Sequence, residues 1–352
     1  MRRYVIIGTG AVGGTIGGRL AQHDVPVVWV ARGEHATVLA DDGMTLRTPE
    51  GTYRVTAPVW TGPDEADLRA GDVLVLGTKV HQATDALAAW ADVPVRAQES
   101  DEVLGAAGDL LPLVTATNGV AAEDIAVRYF QRVYAAAVWC PATHVKPGEV
   151  IPMYDKVSGV FWLGSYPGPA APDDAVREIS ADWQTARLGA PVVEDVMAWK
   201  RRKLVLNMGN AVDALIEPGP DAKRLLEAAT AEAEAALAAG GVSVVSVEQD
   251  AEERARGPQI VRVEGAPDQI GSSTFQSLVR GTGTVETDYL NGEIVRIGRL
   301  HGVPTPVNTA LASLARRAAT NGWAPRSLPA GEVDAQVERA AAYRRETLDA
   351  RK

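Results

Sequence analysis

Tyr4-Val5-Ile6-Ile7-Gly8-Thr9-Gly10-Ala11-Val12-Gly13-Gly14 decides the architecture of this chain. Four apolar, largely β-branched residues read as a buried strand. The glycines that follow read as a tight turn, and Ala11 to Leu20 as a helix. A G-x-G-x-x-G spacing set directly between a strand and a helix is the context in which that spacing has physical meaning. Gly8 permits the turn, Gly10 lets a pyrophosphate approach the backbone, and Gly13 lets helix and strand pack closely. The helix N-terminus adds free amides and partial positive charge, which suit phosphate oxygens. Gly8, Thr9, Gly10, Ala11, Val12 and Gly13 are therefore the expected dinucleotide loop. A glycine-rich turn that binds nothing is the bland alternative.

Working outward, Val25 to Val30 reads as a second buried strand and residues 43–59 as a peripheral hairpin. Asp72 to Leu76 is another apolar strand, with a helix expected from His81 to Trp90. Residues 93–107, with their acidic stretch, read as an inserted loop or short helix. Leu111 to Ala116 is a further strand, and the last strands fall between Val133 and Leu163. Continuous apolar strands alternating with helical segments predict an α/β fold with a parallel, doubly wound sheet. From about residue 196 the chain turns Ala-rich with helical periodicity. The expected organisation is therefore 1–195, an all-helical 196–330, and a charged helical tail over 331–352.

The 352 residues carry a net charge of −10, which disfavours nucleic acid and anionic membranes as partners. No apolar run approaches the ~18 residues needed to span a bilayer. The lone Cys140 permits neither an internal disulfide nor a multi-cysteine metal cluster, reads as an inert thiol, and fits a reducing cytoplasm. No metal is expected.

The second strand ends at Val30-Ala31-Arg32, where NAD-specific sites usually place an acidic residue. Arg32 can instead hold a 2′-phosphate through several donors, which favours NADP over NAD, although Glu34 follows closely. Lys79 and Asn118 stand just beyond the strands at 72–76 and 111–116, on the edge where open α/β sheets bind ligands. In Trp199 to Asn210, helical geometry puts Lys200, Lys203, Asn207 and Asn210 within an arc of roughly 80°. A Lys/Asn stripe on an otherwise apolar helix reads as the lining of a cleft. A lysine there can neutralise and protonate the oxygen formed by hydride reduction of a ketone. Ser272-Ser273-Thr274-Phe275-Gln276 and Glu286 to Gly292 read, on spacing alone, as caps and surface polarity.

Taken in order, GTGAVGG, GTKVHQ, TNG, KLVLNMGN, SSTFQ, VETDYLNG and HGVPTPVNT resemble the ketopantoate reductase family from about residue 3 to about 320. That resemblance implies a Rossmann domain joined to a helical domain with the active site between them. It also implies NADPH-dependent reduction of a 2-keto acid, placing the chain in pantothenate biosynthesis, and a homodimer, although no seam for one is readable. It assigns Lys203 as the acid and Asn207 as a substrate ligand. Lys79, Asn118 and Glu286 are placed against substrate and cofactor, Asn210 and Ser273 against substrate, and Arg32 on the 2′-phosphate. The chain departs from the family at Ala211, where a second Asn is usual, and at Ile216 to Pro220, where a further Asn is absent. A homologous reductase of another carbonyl compound, or a non-catalytic NADP-binding sensor, are the competing readings. Trp139, Tyr154 and Trp162 read as sheet-face packing that could also shape a different pocket.

Overall fold

The computed structural model describes residues 2–144, 146–267, 271–281 and 283–349, with backbone alone over 342–349. Its centre is a seven-stranded sheet in the order 160–166, 132–139, 112–115, 73–76, 4–7, 27–30 and 59–60. All neighbours run parallel except Val160–Tyr166, which lies antiparallel on Arg132–Trp139. The inner strands are buried at every residue. Alternation explains how both faces are used: Tyr4 and Ile6 join the core under helix Ala11–Gln22 and helix Asp174–Thr185. Val5 and Ile7 join the core under helix Ala83–Ala91. Strands buried on both faces must be apolar throughout, which is why they read as unbroken runs rather than as alternation.

From Tyr4–Ile7 the chain first builds outward through Val27–Val30 to Val59–Trp60, then returns to lay Val73–Leu76 on the other side. The switch point between 4–7 and 73–76 opens the crevice where such sheets hold ligands. Gly8 follows one strand and Gly77-Thr78-Lys79 the other.

The peripheral hairpin is present as Met44–Thr48 and Gly51–Val55. Glu149–Pro152 and Ala142–Thr143 extend it to four strands, a pairing too distant in sequence to read. Residues 93–107 are neither loop nor simple helix. Pro94–Arg96 and Val103–Ala106 form an antiparallel pair against Leu68–Arg69, and only then comes the short helix Ala107–Leu110. The acidic residues are the hairpin tip, held by Arg69, whose guanidinium donates to the Ser100 carbonyl at 2.7 Å. The strand signal was weak because only Val95 is fully buried, while Val103 and Leu104 face outward.

The chain divides into two compact units, one of residues up to 200 together with 245–267, the other of 201–244 and the described residues from 271 on. In the first, helix Val247–Arg256 brings the Arg254 guanidinium to 3.7 Å from the Trp139 ring centre. Trp139, Tyr154, Trp162 and Trp199 pack together beside it. Trp139, Tyr154 and Trp162 also line a cavity of about 370 Å³. The second unit is built on helix Pro220–Ala239, whose Leu225, Ala229, Ala233, Ala236 and Leu237 form a buried stripe. Small residues on that stripe let helices Asn291–His301 and Pro306–Asn321 approach closely. The Glu232 carboxylate accepts the Val307 and Asn308 amides at 2.8 and 2.9 Å, so one helix caps another. Helix Ala330–Asp349 packs on Pro306–Asn321.

Candidate active site

The glycine loop combines an open position with two closed ones. Gly8 has φ +94°, a region that favours glycine, and a methyl there would meet the Thr78 side chain at 2.7 Å. A methyl on Gly13 would come within 2.1 Å of the Gly8 carbonyl oxygen. One on Gly10 would meet nothing within 4 Å. Gly8 and Gly13 thus serve packing, and Gly10 keeps a space clear at the start of helix Ala11–Gln22. Among the described residues no side chain caps that helix, so the amides of Ala11, Val12 and Gly13 stay available to an acceptor. The open space and the uncapped amides fit a dinucleotide pyrophosphate.

Arg32 is exposed just before helix Gly33–Asp42, and its guanidinium makes no hydrogen bond or ion pair among the described residues. Glu34 is exposed nearby. Lys79 is half-buried where Val73–Leu76 leads into the turn Val80–Gln82. Asn118 is half-buried beyond Pro112–Thr115, and Gly119 after it takes φ +74° to turn the chain. These positions all lie at the carboxyl ends of parallel strands of one sheet. His35, for which the sequence carried no signal, supports the loop from behind. The Gly148 amide donates to Nδ1 at 2.9 Å, which leaves the proton on Nε2 to be given to the Thr9 carbonyl at 2.9 Å. Burial, reinforced by the His144 ring at 4.3 Å, lowers the His35 pKa.

The Lys/Asn stripe is corrected at two points. Helix Val196–Leu206 ends before Asn207, and a new helix, Gly209–Leu215, begins after a two-residue turn. Lys200 lines no cleft. It is 2% exposed, and its ammonium is consumed by Glu123, Thr117 and Ala136 of the sheet-containing unit. The shared arc requires one unbroken helix, and periodicity alone does not show which side of it is covered.

In the second unit Lys203 is half-buried one turn before Asn207, whose amide donates to the Lys203 carbonyl at 3.0 Å. The Asn207 side chain is buried with its Nδ2 unpartnered among the described residues. Asn210 Nδ2 donates to Ser273 Oγ at 3.3 Å, so those two predicted residues do meet. Ser272 caps helix Ser273–Val279 by accepting the Phe275 amide at 3.2 Å. Asp213, missed by sequence reading, anchors this start by accepting the Ser272 amide at 2.6 Å and the Arg326 guanidinium at 2.6 Å. Burial alone would raise the Asp213 carboxyl, but Ser272 and Arg326 outweigh it and lower its pKa. Glu286 is half-buried before the turn Thr287–Tyr289, within the electrostatic reach of Arg280.

A doubly wound sheet with this loop, joined to a helical unit, fits a dinucleotide-dependent oxidoreductase. The sequence profile described as "Ketopantoate reductase PanE/ApbA" matches residues 4–168, and "Ketopantoate reductase PanE/ApbA C terminal" matches 195–319. A 2-dehydropantoate 2-reductase of Caulobacter vibrioides is 31% identical over 330 residues, covering 91% of this chain and 100% of the relative. One from Halobacterium salinarum is 28% identical over 331 residues, with 91% and 100% covered. The crystal structure of a PanE/ApbA family ketopantoate reductase from Ralstonia eutropha superposes with TM-score 0.73 at 24% identity, covering 92% and 99%. D-mandelate dehydrogenase bound to NADH and anilino(oxo)acetate shares the fold with TM-score 0.73 at 19% identity, covering 92% and 100%. The chain belongs to the ketopantoate reductase family and is an oxidoreductase acting on CH–OH groups. Among the described residues no helix is long and apolar enough to cross a membrane, and no cluster of His, Cys, Asp and Glu could hold a metal.

Proposed function

We propose that the protein uses NADPH to reduce a 2-keto acid to the 2-hydroxy acid, with 2-dehydropantoate, the substrate named for its relatives, as the first candidate. The observation that carries this reading is the orphaned Nδ2 of Asn207, a buried donor one turn after Lys203. Buried amides are almost always satisfied, so an unsatisfied one beside a half-buried lysine invites an acceptor from a ligand. A bound nicotinamide supplies the hydride. Lys203 then neutralises the alkoxide oxygen and hands it a proton, and Asn207 donates to the substrate and orients it. Asn210, Ser273 and Glu286 offer hydroxyl and carboxylate partners to the rest of the substrate, while Lys79 and Asn118 line the cofactor side. Arg32, exposed and without a competing anion, reads the 2′-phosphate. A cytoplasmic homodimer belongs to the same reading.

A different carbonyl substrate is the second reading. Ala211, fully buried, stands where the family usually offers an Asn, so one polar contact to a hydroxylated substrate is absent. NADPH absorbance followed with 2-dehydropantoate and a panel of 2-keto acids separates the cases. Turnover of 2-dehydropantoate supports the first, and turnover of other keto acids alone supports the second. Cofactor binding without oxidation across the panel removes both and leaves a sensor.

A further inference from the structure

We infer that the buried pair Lys200–Glu123 positions the nicotinamide-side turn Thr117-Asn118-Gly119, and thereby Asn118; the inference rests on the reading of Asn118 as a cofactor contact. Lys200 Nζ lies 2.9 Å from Glu123 Oε1 and donates to the carbonyls of Thr117 at 2.8 Å and Ala136 at 3.2 Å. An ammonium has three protons, and all three are used. Glu123 Oε1 also accepts the Thr115 hydroxyl at 2.6 Å. One cation therefore ties together the segment just beyond strand Pro112–Thr115, the middle of strand Arg132–Trp139, the short helix Ala122–Ala126 and the first half of helix Val196–Leu206. It grips the carbonyl of the peptide bond that leads into Asn118.

Stability alone gives little reason for such a pair. The Lys200 and Glu123 side chains are 1% and 0% exposed, and at that depth the cost of desolvating both charges roughly cancels their attraction. An apolar pair of similar volume would hold the elements together about as well. It would not hold the Thr117 carbonyl. That carbonyl and the Asn118 amide belong to one planar peptide unit, so fixing one fixes the direction in which Asn118 leaves the strand. The Asn118 side chain makes no hydrogen bond of its own among the described residues, so its aim depends on its backbone. Glu123 Oε2 is unpartnered among the described residues, which leaves the carboxylate committed to Lys200 and Thr115 through one oxygen. Lys200 and Glu123 are positioning residues, since neither is exposed to touch substrate or cofactor.

The test replaces the pair together, Lys200→Met with Glu123→Leu, so that no buried charge is stranded. The expected result is a Tm within a few degrees of wild type, NADPH affinity within about threefold, and kcat lower by about ten- to hundredfold, the scale of a small misplacement in a site. In an Asn118→Ala background the same two changes should lower kcat by less than about threefold, because the residue they act through is gone. Wild-type kcat in the folded double variant, or losses that simply multiply with Asn118→Ala, overturns the proposal. Should the double variant not fold, Lys200→Met with Glu123→Gln keeps an acceptor for the Thr115 hydroxyl and again strands no charge. It is expected to lower kcat about threefold or more at unchanged KM, and an unchanged kcat overturns the proposal. Failure of the reductase reading looks different, because no keto acid would then support NADPH oxidation by the wild-type protein. In that case hydrogen exchange decides: the amides of Asn118 and Gly119 should exchange faster in the variant while strands 4–7 and 73–76 do not, and equal protection at 118–119 sinks the idea.

Discussion

Two stretches of this chain both signal a nucleotide-dependent reductase, and the structure treats them differently. The Gly8–Gly13 loop acts through its backbone. The Lys200–Asn210 stretch acts through side chains whose surroundings come from elsewhere in the chain. A glycine spacing constrains φ, close approach and free amides by itself, so its meaning is local and survives folding. A helical stripe says only that four side chains share a direction. Folding then divided the four: Lys200 is spent on sheet carbonyls and Glu123, Lys203 is half-buried, Asn207 is buried with a donor unpartnered among the described residues, and Asn210 is engaged by Ser273. Backbone motifs can be read from sequence with their purpose attached, and side-chain stripes cannot.

The sharpest way to break the comparison is at Lys203. If this is the lysine of the stripe that does chemistry, Lys203→Ala lowers kcat by about 10²- to 10⁴-fold with NADPH affinity nearly unchanged. Steady-state turnover beside a fluorescence titration of NADPH measures both, and near-normal kcat would leave the second stretch with no catalytic member. The loop offers an internal contrast of its own. Gly13→Ala forces a methyl to 2.1 Å from backbone, which overpacking puts at about 3 kcal/mol of destabilisation and a Tm lower by roughly 5–10 °C. Gly10→Ala meets nothing within 4 Å, so its Tm should stay put while NADPH binds at least about tenfold more weakly. Two alanines three residues apart, one striking stability and the other affinity, are what a cofactor cradle requires. Equal behaviour would reduce the loop to a structural turn.

Much of the fold was legible for the same reason the loop was. Tyr4–Ile7, Val73–Leu76 and Pro112–Thr115 are buried on both faces, so their apolar runs could not be anything amphipathic. Residues 94–106 were not legible as strands, because Pro94–Arg96 also pairs with Leu68–Arg69, some thirty residues away, and the outward Val103 and Leu104 of its hairpin partner blur the alternation. Glu149–Pro152 falls in the stretch read as the last strands, but its pairing with Met44–Thr48, across about a hundred residues, was hidden likewise. Among the proposed site residues, Gly8, Gly10 and Gly13 carry their signal in local spacing. Lys79 and Asn118 followed from strand ends, and Lys203 and Asn207 needed the family pattern to separate them from Lys200. Asp213, Glu123 and His35 escaped because a helix anchor, a buried counter-charge and a loop prop are each defined by a partner distant in sequence.

Arg32 sharpens the loop side of the comparison at smaller scale. Its guanidinium is exposed and without an ion pair among the described residues, so whatever it contributes must come from a ligand. Losing a charge-assisted contact to a phosphate costs about 1.5–3 kcal/mol, which predicts NADPH affinity lower by about ten- to hundredfold for Arg32→Ala while NADH is nearly unaffected. Titrating both cofactors against wild type and variant measures the ratio. Parallel losses for the two would take Arg32 out of 2′-phosphate recognition.

The smallest effect concerns the prop beneath the loop. His35 gives its Nε2 proton to Thr9 and accepts Gly148 on Nδ1, so the folded chain needs it neutral. Burial and the neighbouring His144, itself bonded through Nδ1 to the Glu149 carbonyl at 3.0 Å, push its pKa below the ordinary histidine value. A group with a depressed folded pKa binds its proton more readily in the unfolded chain. Stability therefore falls as pH drops through about 6.5, the unfolded value, toward the lower folded one, and is regained as pH rises. His35→Gln can still donate to Thr9 but does not titrate. Between pH 7.5 and 5.5 its Tm should fall less than that of wild type, by roughly 1–3 °C. NADPH affinity should show the same ordering, because the carbonyl that His35 holds belongs to the loop proposed to cradle the pyrophosphate. Identical pH slopes for the two proteins would assign the acid sensitivity of this region to His144 or to carboxylates, and leave the loop held by its glycines alone.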